Sequence, residues 1–344
     1  MVPDRPAYDI IGCSHATAPL EVREALALTP AQRERLQLAL ECDPRVAGAV
    51  VIQTCNRVEV HASLDGQASV VLEHLAEASE FPVGTLRQLH YHYSGERAVE
   101  HLFALGAGLE SEMIGETEIL GQLKLAYRQA HERKSLPPLL HRVFQKAFQA
   151  AKWARTHTAI GEGQVSMGSV AVELAQRIFG RLESSRCLVV GTGEVGRETA
   201  KALASRGVKQ ISLTGRTLGN VRALADDVKG RIVPFDDWVG HLQEVDILIC
   251  ATAAPSLLLH AHTVRAAMKH RPARPLFIMD LAVPRDVESR TADLDNVFLY
   301  LFTDLAAIAN EHLKHRHSAV DACRNGLAAR ARDTWTRLAG GPLP

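Results

Sequence analysis

Short apolar runs alternate with stretches of helical period along the first ~155 residues. Tyr8–Cys13 reads as a strand, and Pro30–Cys42 as a helix carrying Leu36, Leu38 and Leu40. Ala49–Gln53 and Val58–His61 are strand-like on either side of the polar stretch Thr54-Cys55-Asn56-Arg57. From Ala98 to Leu139 the pattern is mostly helical, and Pro137-Pro138 marks a stop.

A second regime starts near Arg186, with Gly161–Gly163 near the join. Cys187–Gly191, Gln210–Thr214, Arg231–Phe235, Asp246–Cys250, Leu276–Asp280 and Val297–Tyr300 read as strands. Glu194–Ser205 and Leu218–Val228 read as helices between them. Apolar strands alternating with helices predict a parallel sheet covered on both faces. From Thr303 the chain turns helical, with Leu305, Ile308, Val320, Cys323, Leu327, Ala331, Trp335 and Leu338 at roughly helical spacing. Unbroken from 304 to 337, such a helix would reach ~50 Å. Gly326 within it costs about 1 kcal/mol and permits a bend. The plainest fate for this helix is to pack back on the sheet.

Composition narrows the class. The 344 residues are too many for one ordinary core, so ~2 domains are expected. Hydrophobic residues at 47% and charged residues at 23% exclude a disordered, collagen-like or coiled-coil chain. Thirty-nine basic and thirty-nine acidic residues cancel, which leaves only local patches to attract a polyanion. Runs such as Val297–Phe302 fall far short of the ~20 residues a bilayer demands. The amino terminus has an early Asp4 and no apolar run of signal-peptide length. Cysteines at 13, 42, 55, 187, 250 and 323 form no CxxC pair and suggest free thiols in a reducing compartment. A cytoplasmic protein without a metal site is expected.

The sharpest local signal is Gly191-Thr192-Gly193-Glu194-Val195-Gly196, a GxGxxG directly after a strand and at the start of a helix. Gly191 would make the tight turn, Gly193 would let the backbone approach a pyrophosphate, and Gly196 would let helix meet sheet. The helix amino terminus then offers unpaired N–H groups to phosphates. The next strand ends Gly215-Arg216-Thr217, with a guanidinium where NAD binders usually carry a carboxylate. Arg216 suits a 2′-phosphate, so NADPH is favoured over NADH. A structural glycine turn and a solvated arginine are the competing readings.

Cys55 ends a strand beside Asn56 and Arg57, and a nearby guanidinium would favour its thiolate. Alone, such a cysteine is more often structural. A thiol together with a nicotinamide site is what thioester reduction requires: the thiolate captures an acyl group and hydride reduces it to an aldehyde.

Several longer segments carry a family resemblance. Gly12-Cys13-Ser14-His15-Ala16-Thr17-Ala18-Pro19 with Arg23-Glu24, Gln53 to Glu59, and Gly108 to Ser111 with Gly115 to Gln122 resemble motifs of the glutamyl-tRNA reductases. Arg155–Ile160, Val165-Ser166 and Asp280–Asp286 fit the same family, in order along the chain. The resemblance implies reduction of glutamyl-tRNA(Glu) to glutamate-1-semialdehyde with NADPH, the first committed step of five-carbon tetrapyrrole synthesis. It implies Cys55 as nucleophile through a thioester and His101 in proton transfer or orientation. Thr54, Asn56, Arg57 and Ser111 match positions that hold the glutamyl group, and Glu116, Thr117, Glu118 and Gln122 match the substrate-side loop. Arg57 has a fork suited to a carboxylate, or else a salt bridge with Glu59. Gly191, Thr192, Gly193, Glu194, Val195, Gly196, Arg216 and Thr217 match the cofactor site. Where many members carry Pro and Gln, this chain has Thr117 and Glu118.

The implied fold is α/β: an N-terminal α/β catalytic domain (1–158), a Rossmann-type NADP-binding domain (159–302) and a long C-terminal spinal helix (303–344). The family continues from that helix into a dimerisation region that this sequence does not extend into. The expectation is therefore a monomer, or a homodimer through the apolar stripe ending in Trp335 and Leu338. Glutamate-1-semialdehyde aminomutase is an expected partner. Residues 120–159 hold Lys124, Arg128, Arg133, Lys134, Arg142, Lys146, Lys152 and Arg155 against Glu132 alone, an excess suited to tRNA phosphates or a solvated helix face. Two other readings stay open: a non-catalytic tRNA- or tetrapyrrole-binding regulator, and a small-molecule dehydrogenase of the shikimate type.

Overall fold

Period-two alternation in the first strand sends Ile10 into one apolar core and Ile11 into another, so its sheet is covered on both faces. The structure is a computed structural model, and it describes residues 8–339 apart from 66, 135, 159, 161–165 and 314–316. Gly161–Gly163, Val165 and the terminal residues 340–344 thus lie outside the described residues. The chain divides into two units, Met1–Gln164 with Leu313–Pro344, and Val165–His312.

The first unit runs β1 (Asp9–Ser14), α1 (Leu20–Ala25), α2 (Pro30–Cys42), β2 (Val46–Gln53), β3 (Arg57–Leu64), α3 (Ser69–Ser79), α4 (Val83–Leu89), β4 (Tyr91–Ser94), α5 (Glu96–Gly106), α6 (Glu118–Glu132) and α7 (Pro138–His157). Its four strands form an antiparallel sheet in the order β2-β3-β1-β4. Helix α2 begins where the sequence requires it. The Thr29 hydroxyl accepts from the Gln32 N–H at 3.3 Å and the Gln32 side chain accepts from the Thr29 N–H at 2.9 Å, with Pro30 in the first turn. The helical stretch expected from 98 to 139 is interrupted. Residues 107–117 form a looped turn between α5 and α6, which Gly108 and Gly115 enter at φ +81° and +86°. Pro137-Pro138 proves to be the start of α7 as much as a stop, because the first helical turn needs no N–H from proline.

The second unit runs α8 (Met167–Phe179), β5 (Arg186–Val190), α9 (Glu194–Ser205), β6 (Gln210–Thr214), α10 (Leu218–Val228), β7 (Arg231–Ile232), β8 (Ile247–Cys250), α11 (Ala261–Met268), β9 (Leu276–Asp280), β10 (Val297–Leu301) and α12 (Phe302–Leu313). Its parallel strands lie in the order β10-β9-β8-β5-β6-β7, the doubly wound arrangement of dinucleotide-binding folds. Apart from Arg186 at the start of β5, the central strands are buried, as a sheet covered on both faces requires. The strand expected over Arg231–Phe235 stops at Ile232, and Pro234 lacks the N–H to extend it.

The last helix, α13 (His317–Ala339), belongs to the first unit. Cys323, Leu327 and Ala331 are at most 1% exposed in a core shared with α5 and α7, and Trp335 and Leu338 pack against it. This corrects one expectation: α13 packs on helices, not on a sheet. Of its apolar stripe, Cys323, Leu327 and Ala331 are covered by its own unit, while Val320, Trp335 and Leu338 are partly buried against it. Whether the helix is continuous from 304 to 337 turns on 314–316, outside the described residues. Among the described residues no helix is long and apolar enough to cross a membrane.

Candidate active site

Strands β2 and β3 form a hairpin whose tip is Cys55-Asn56, closed by the Thr54 N–H donating to the Arg57 carbonyl at 2.9 Å. Thr54 also steadies the turn with its hydroxyl, which accepts from the Asn56 N–H at 3.0 Å. The Asn56 carbonyl accepts from His15 N–H at 2.9 Å, just past the end of β1. The half-buried Cys55 is therefore carried on a turn whose flanks are pinned.

Arg57 follows at once but faces elsewhere. Its guanidinium is buried, donates to Glu59 and donates to the Glu110 carbonyl. The salt bridge with Glu59, open in the sequence, is realised here. Glu59 is 0% exposed and gathers a network: His101 Nε2 and His61 Nε2 each lie 3.0 Å from its carboxylate, and the Tyr91 hydroxyl donates to it. The Tyr8 hydroxyl in turn lies 2.8 Å from His61 Nδ1. Burial opposes a charge on Glu59, yet His101, Arg57 and the hydrogen bonds hold its carboxyl well below the usual range. Sequence reasoning missed His61, Tyr91 and Tyr8. Of these only His61, two residues from Glu59 along β3, carried a signal, since it shares that side chain's face.

The loop 107–117 closes through the Gly115 N–H, which donates to the Gly108 carbonyl at 2.8 Å. A Cβ on Gly108 would stand 2.6 Å from the Glu116 carbonyl oxygen, so the loop needs glycine there. Ser111 is 6% exposed and its hydroxyl has no partner among the described residues. His15 Nδ1, Arg23 Nε and Gln53 Oε1 are further buried polar atoms without partners among the described residues. Unpaired polar atoms in one region are costly unless something polar binds there. Glu116 and Thr117 close the loop, while Glu118 and Gln122 lie in the first turns of α6.

Electrostatics correct the expectation for Cys55. Burial pushes its thiol up to about 12, and the carboxylates of Glu116, Glu112 and Glu118 add to the rise. The cation that most opposes them is Arg23 of α1. In the free protein the thiol is protonated.

In the second unit a cleft of about 380 Å³ opens at the carboxyl ends of β5, β6 and β8. Gly191, Thr192, Gly193, Arg216 and Thr217 line it, joined by Gly215, Asn220, Phe235 and Ala251–Ala254, which the sequence did not single out. Glu194, Val195 and Gly196 form the first turn of α9. A Cβ on Gly196 would lie 2.7 Å from the Ala251 methyl, so this glycine serves the meeting of helix and sheet. At Gly193 the nearest atom to an added Cβ is 3.5 Å away. The protein itself does not demand glycine there, and the space left open is what a close approach of phosphates would use. Arg216 is exposed, with its guanidinium 5.6 Å from the Phe235 ring and no ion pair among the described residues. Asp286, 0% exposed, holds the cleft wall by accepting from Thr252 N–H at 3.0 Å and from its hydroxyl at 2.6 Å. A glycine-lined helix start beside an uncommitted arginine fits a phosphorylated dinucleotide.

The basic segment lies on α6 and α7. Arg133 is already neutralised, 2.8 Å from Glu34 and 2.9 Å from Glu41. Lys124, Arg128, Arg142, Lys146 and Lys152 make no ion pair among the described residues.

The sequence profile described as "Glutamyl-tRNAGlu reductase, N-terminal domain" matches residues 11–158, and "Shikimate / quinate 5-dehydrogenase" matches residues 173–308. A glutamyl-tRNA reductase of Solidesulfovibrio magneticus is 40% identical over 329 residues, 94% of this chain and 70% of that protein. One from Stutzerimonas stutzeri is 39% identical over 334 residues, 96% and 79% of the two chains. The solved glutamyl-tRNA reductase from Methanopyrus kandleri superposes with a TM-score of 0.51 at 36% identity, covering 96% of this chain and 80% of that one.

Proposed function

The chain belongs to the glutamyl-tRNA reductase family, and from that premise we propose that Cys55 is the nucleophile of its reaction. The protein is an NADPH-dependent oxidoreductase that converts glutamyl-tRNA(Glu) to glutamate-1-semialdehyde and free tRNA(Glu) in tetrapyrrole synthesis. The observation that carries the reading is the pinned hairpin tip with Cys55 among unpaired buried polar atoms. The Cys55 thiol gives up its proton and its sulfur attacks the glutamyl ester carbonyl. The ester C–O bond breaks, the tRNA ribose oxygen takes a proton, and a thioester remains on Cys55. NADPH, when bound, would supply the hydride for reducing that thioester to the aldehyde, and the Cys55 sulfur would leave as thiolate. The residues that would hold the cofactor are Gly191, Thr192, Gly193, Arg216 and Thr217. Thr54, Asn56, Ser111, Glu116, Thr117, Glu118 and Gln122 surround the glutamyl group in this reading. Arg57 reaches a carboxylate only by sharing its bonds to Glu59 and Glu110. His101, oriented by Glu59, assists proton transfer. The five cations of α6 and α7 without an ion pair among the described residues receive tRNA phosphates, and the reactive aldehyde passes to glutamate-1-semialdehyde aminomutase.

NADPH oxidation with glutamyl-tRNA(Glu), beside free glutamate and uncharged tRNA, tests the reading in wild type and Cys55→Ser. Consumption only with charged tRNA, abolished in the variant, is the expected result. No consumption with tRNA still bound would favour the regulatory alternative. The shikimate-type reading accounts for residues 173–308 and leaves the hairpin tip without a role.

A further inference from the structure

We propose that Arg23 is a positioning residue for the nucleophile: its buried guanidinium grips Asn56 beside Cys55 and supplies the positive charge against which the thiolate forms. The inference deepens the reading of Cys55 as nucleophile and rests on it. Arg23 stands on a helix of only six residues, Leu20–Ala25, yet it is only 8% exposed. Burying an arginine is costly unless its donors are used. One is used well: Nη1 donates to Asn56 Oδ1 at 2.8 Å and lies 3.5 Å from Glu112 Oε2. Nε is buried without a partner among the described residues, so the guanidinium is only partly committed. Asn56 is held at three points, by Arg23 on its side chain, by Thr54 on its N–H and by His15 on its carbonyl. Loss of the first would release the side of the turn that carries the thiol.

The charges around the thiol leave this task to Arg23. Glu112 and Glu116 from the loop 107–117, and Glu118 from α6, all oppose a thiolate. Arg57 is spent on Glu59 and the Glu110 carbonyl. Burial, then Arg57 and Arg23, lower His15 to about 4, so its imidazole is neutral at working pH and adds no charge. Arg23 is the cation whose charge most offsets the three carboxylates at the sulfur. Glu112, its ion-pair partner, moderates it.

The test reads the thiol directly. Full-length protein is treated with iodoacetamide across pH 7–10 and the alkylated cysteines are quantified by mass spectrometry, with exposed Cys42 as internal reference. Arg23→Gln keeps a donor for Asn56 but removes the charge, and Arg23→Lys keeps the charge. Relative to Cys42, alkylation of Cys55 should slow about tenfold at pH 8 in Arg23→Gln, one unit of pKa. It should stay within about threefold of wild type in Arg23→Lys, and kcat should follow the same order with KM less affected. An unchanged pH profile in Arg23→Gln, or equal losses in both variants, would overturn the charge role. Should Arg23→Gln fail to fold, Glu112→Gln is read beside Glu116→Gln: removing either carboxylate speeds Cys55 by its own charge, so a larger acceleration in Glu112→Gln, which also frees the guanidinium, supports the proposal and an equal or smaller one overturns it. Because alkylation needs no tRNA, an inactive wild type with these alkylation results would reject the reductase reading and leave the Arg23 pairing standing.

Discussion

At Gly191 the backbone takes φ +94°, and a Cβ there would lie 2.3 Å from the Ala251 carbonyl oxygen. Both demands come from the protein itself, so Gly191→Ala should destabilise the second unit, by about 1–3 kcal/mol for strain of this kind. Two residues on, Gly193 has nothing closer than 3.5 Å, and Gly193→Val should fold normally yet bind NADPH at least tenfold more weakly. Thermal melts and NADPH fluorescence titration of the two variants separate the cases. Equal affinity in Gly193→Val would mean that phosphates do not approach there. Asp280, 1% exposed, offers a pH test. Burial, with Asp286 adding, pushes its carboxyl up to about 7 from the ordinary 3.8, although the Val287 and Ala282 N–H groups pull it down. The native state then keeps a proton that the unfolded chain has released, so this group's contribution to stability falls as pH rises from about 4 to about 7. Asp280→Asn lacks that proton, and its Tm relative to wild type should rise between pH 5 and pH 7.5. A constant difference would show that the carboxyl is not shifted.

At the scale of elements, sequence and structure agree where a boundary is local. Helices α2, α9 and α10 span Pro30–Cys42, Glu194–Ser205 and Leu218–Val228 as the apolar spacing predicts, because caps and glycine turns act within a few residues. They part where neighbours decide. The strand β4 was not legible, since Tyr91–Ser94 is short and becomes a strand by pairing with β1. Gly326 reads from the sequence as a helix weakness, but in α13 it lies against Trp153, whose ring an added Cβ would meet at 2.2 Å. Arg330 covers the same ring at 4.1 Å. Gly326→Ala gains about 1 kcal/mol of helix propensity and loses about 1–3 kcal/mol to overpacking. Its Tm should therefore fall, read by calorimetry, and a rise would mean that α13 does not dock on α7.

The whole chain is neutral, so any attraction for a polyanion must be local. Reversing two of the α7 cations, Arg142→Glu with Lys146→Glu, should weaken tRNA binding at least tenfold and flatten its salt dependence. Filter binding at two salt concentrations checks this, and unchanged slopes would move the footprint off α7. The sequence by itself determined the two regimes, the parallel sheet with its glycine loop, Cys55 between two strands, and the family, because those signals are short-range patterns of residue type. Only the tertiary structure decided that α13 completes the first unit, that Arg57 turns to Glu59, that Arg133 is spent on α2, and that Arg23 is the cation acting most on Cys55. These depend on which side chains from distant segments meet in a buried place. There a charge or a hydrogen bond is set by its neighbours in space.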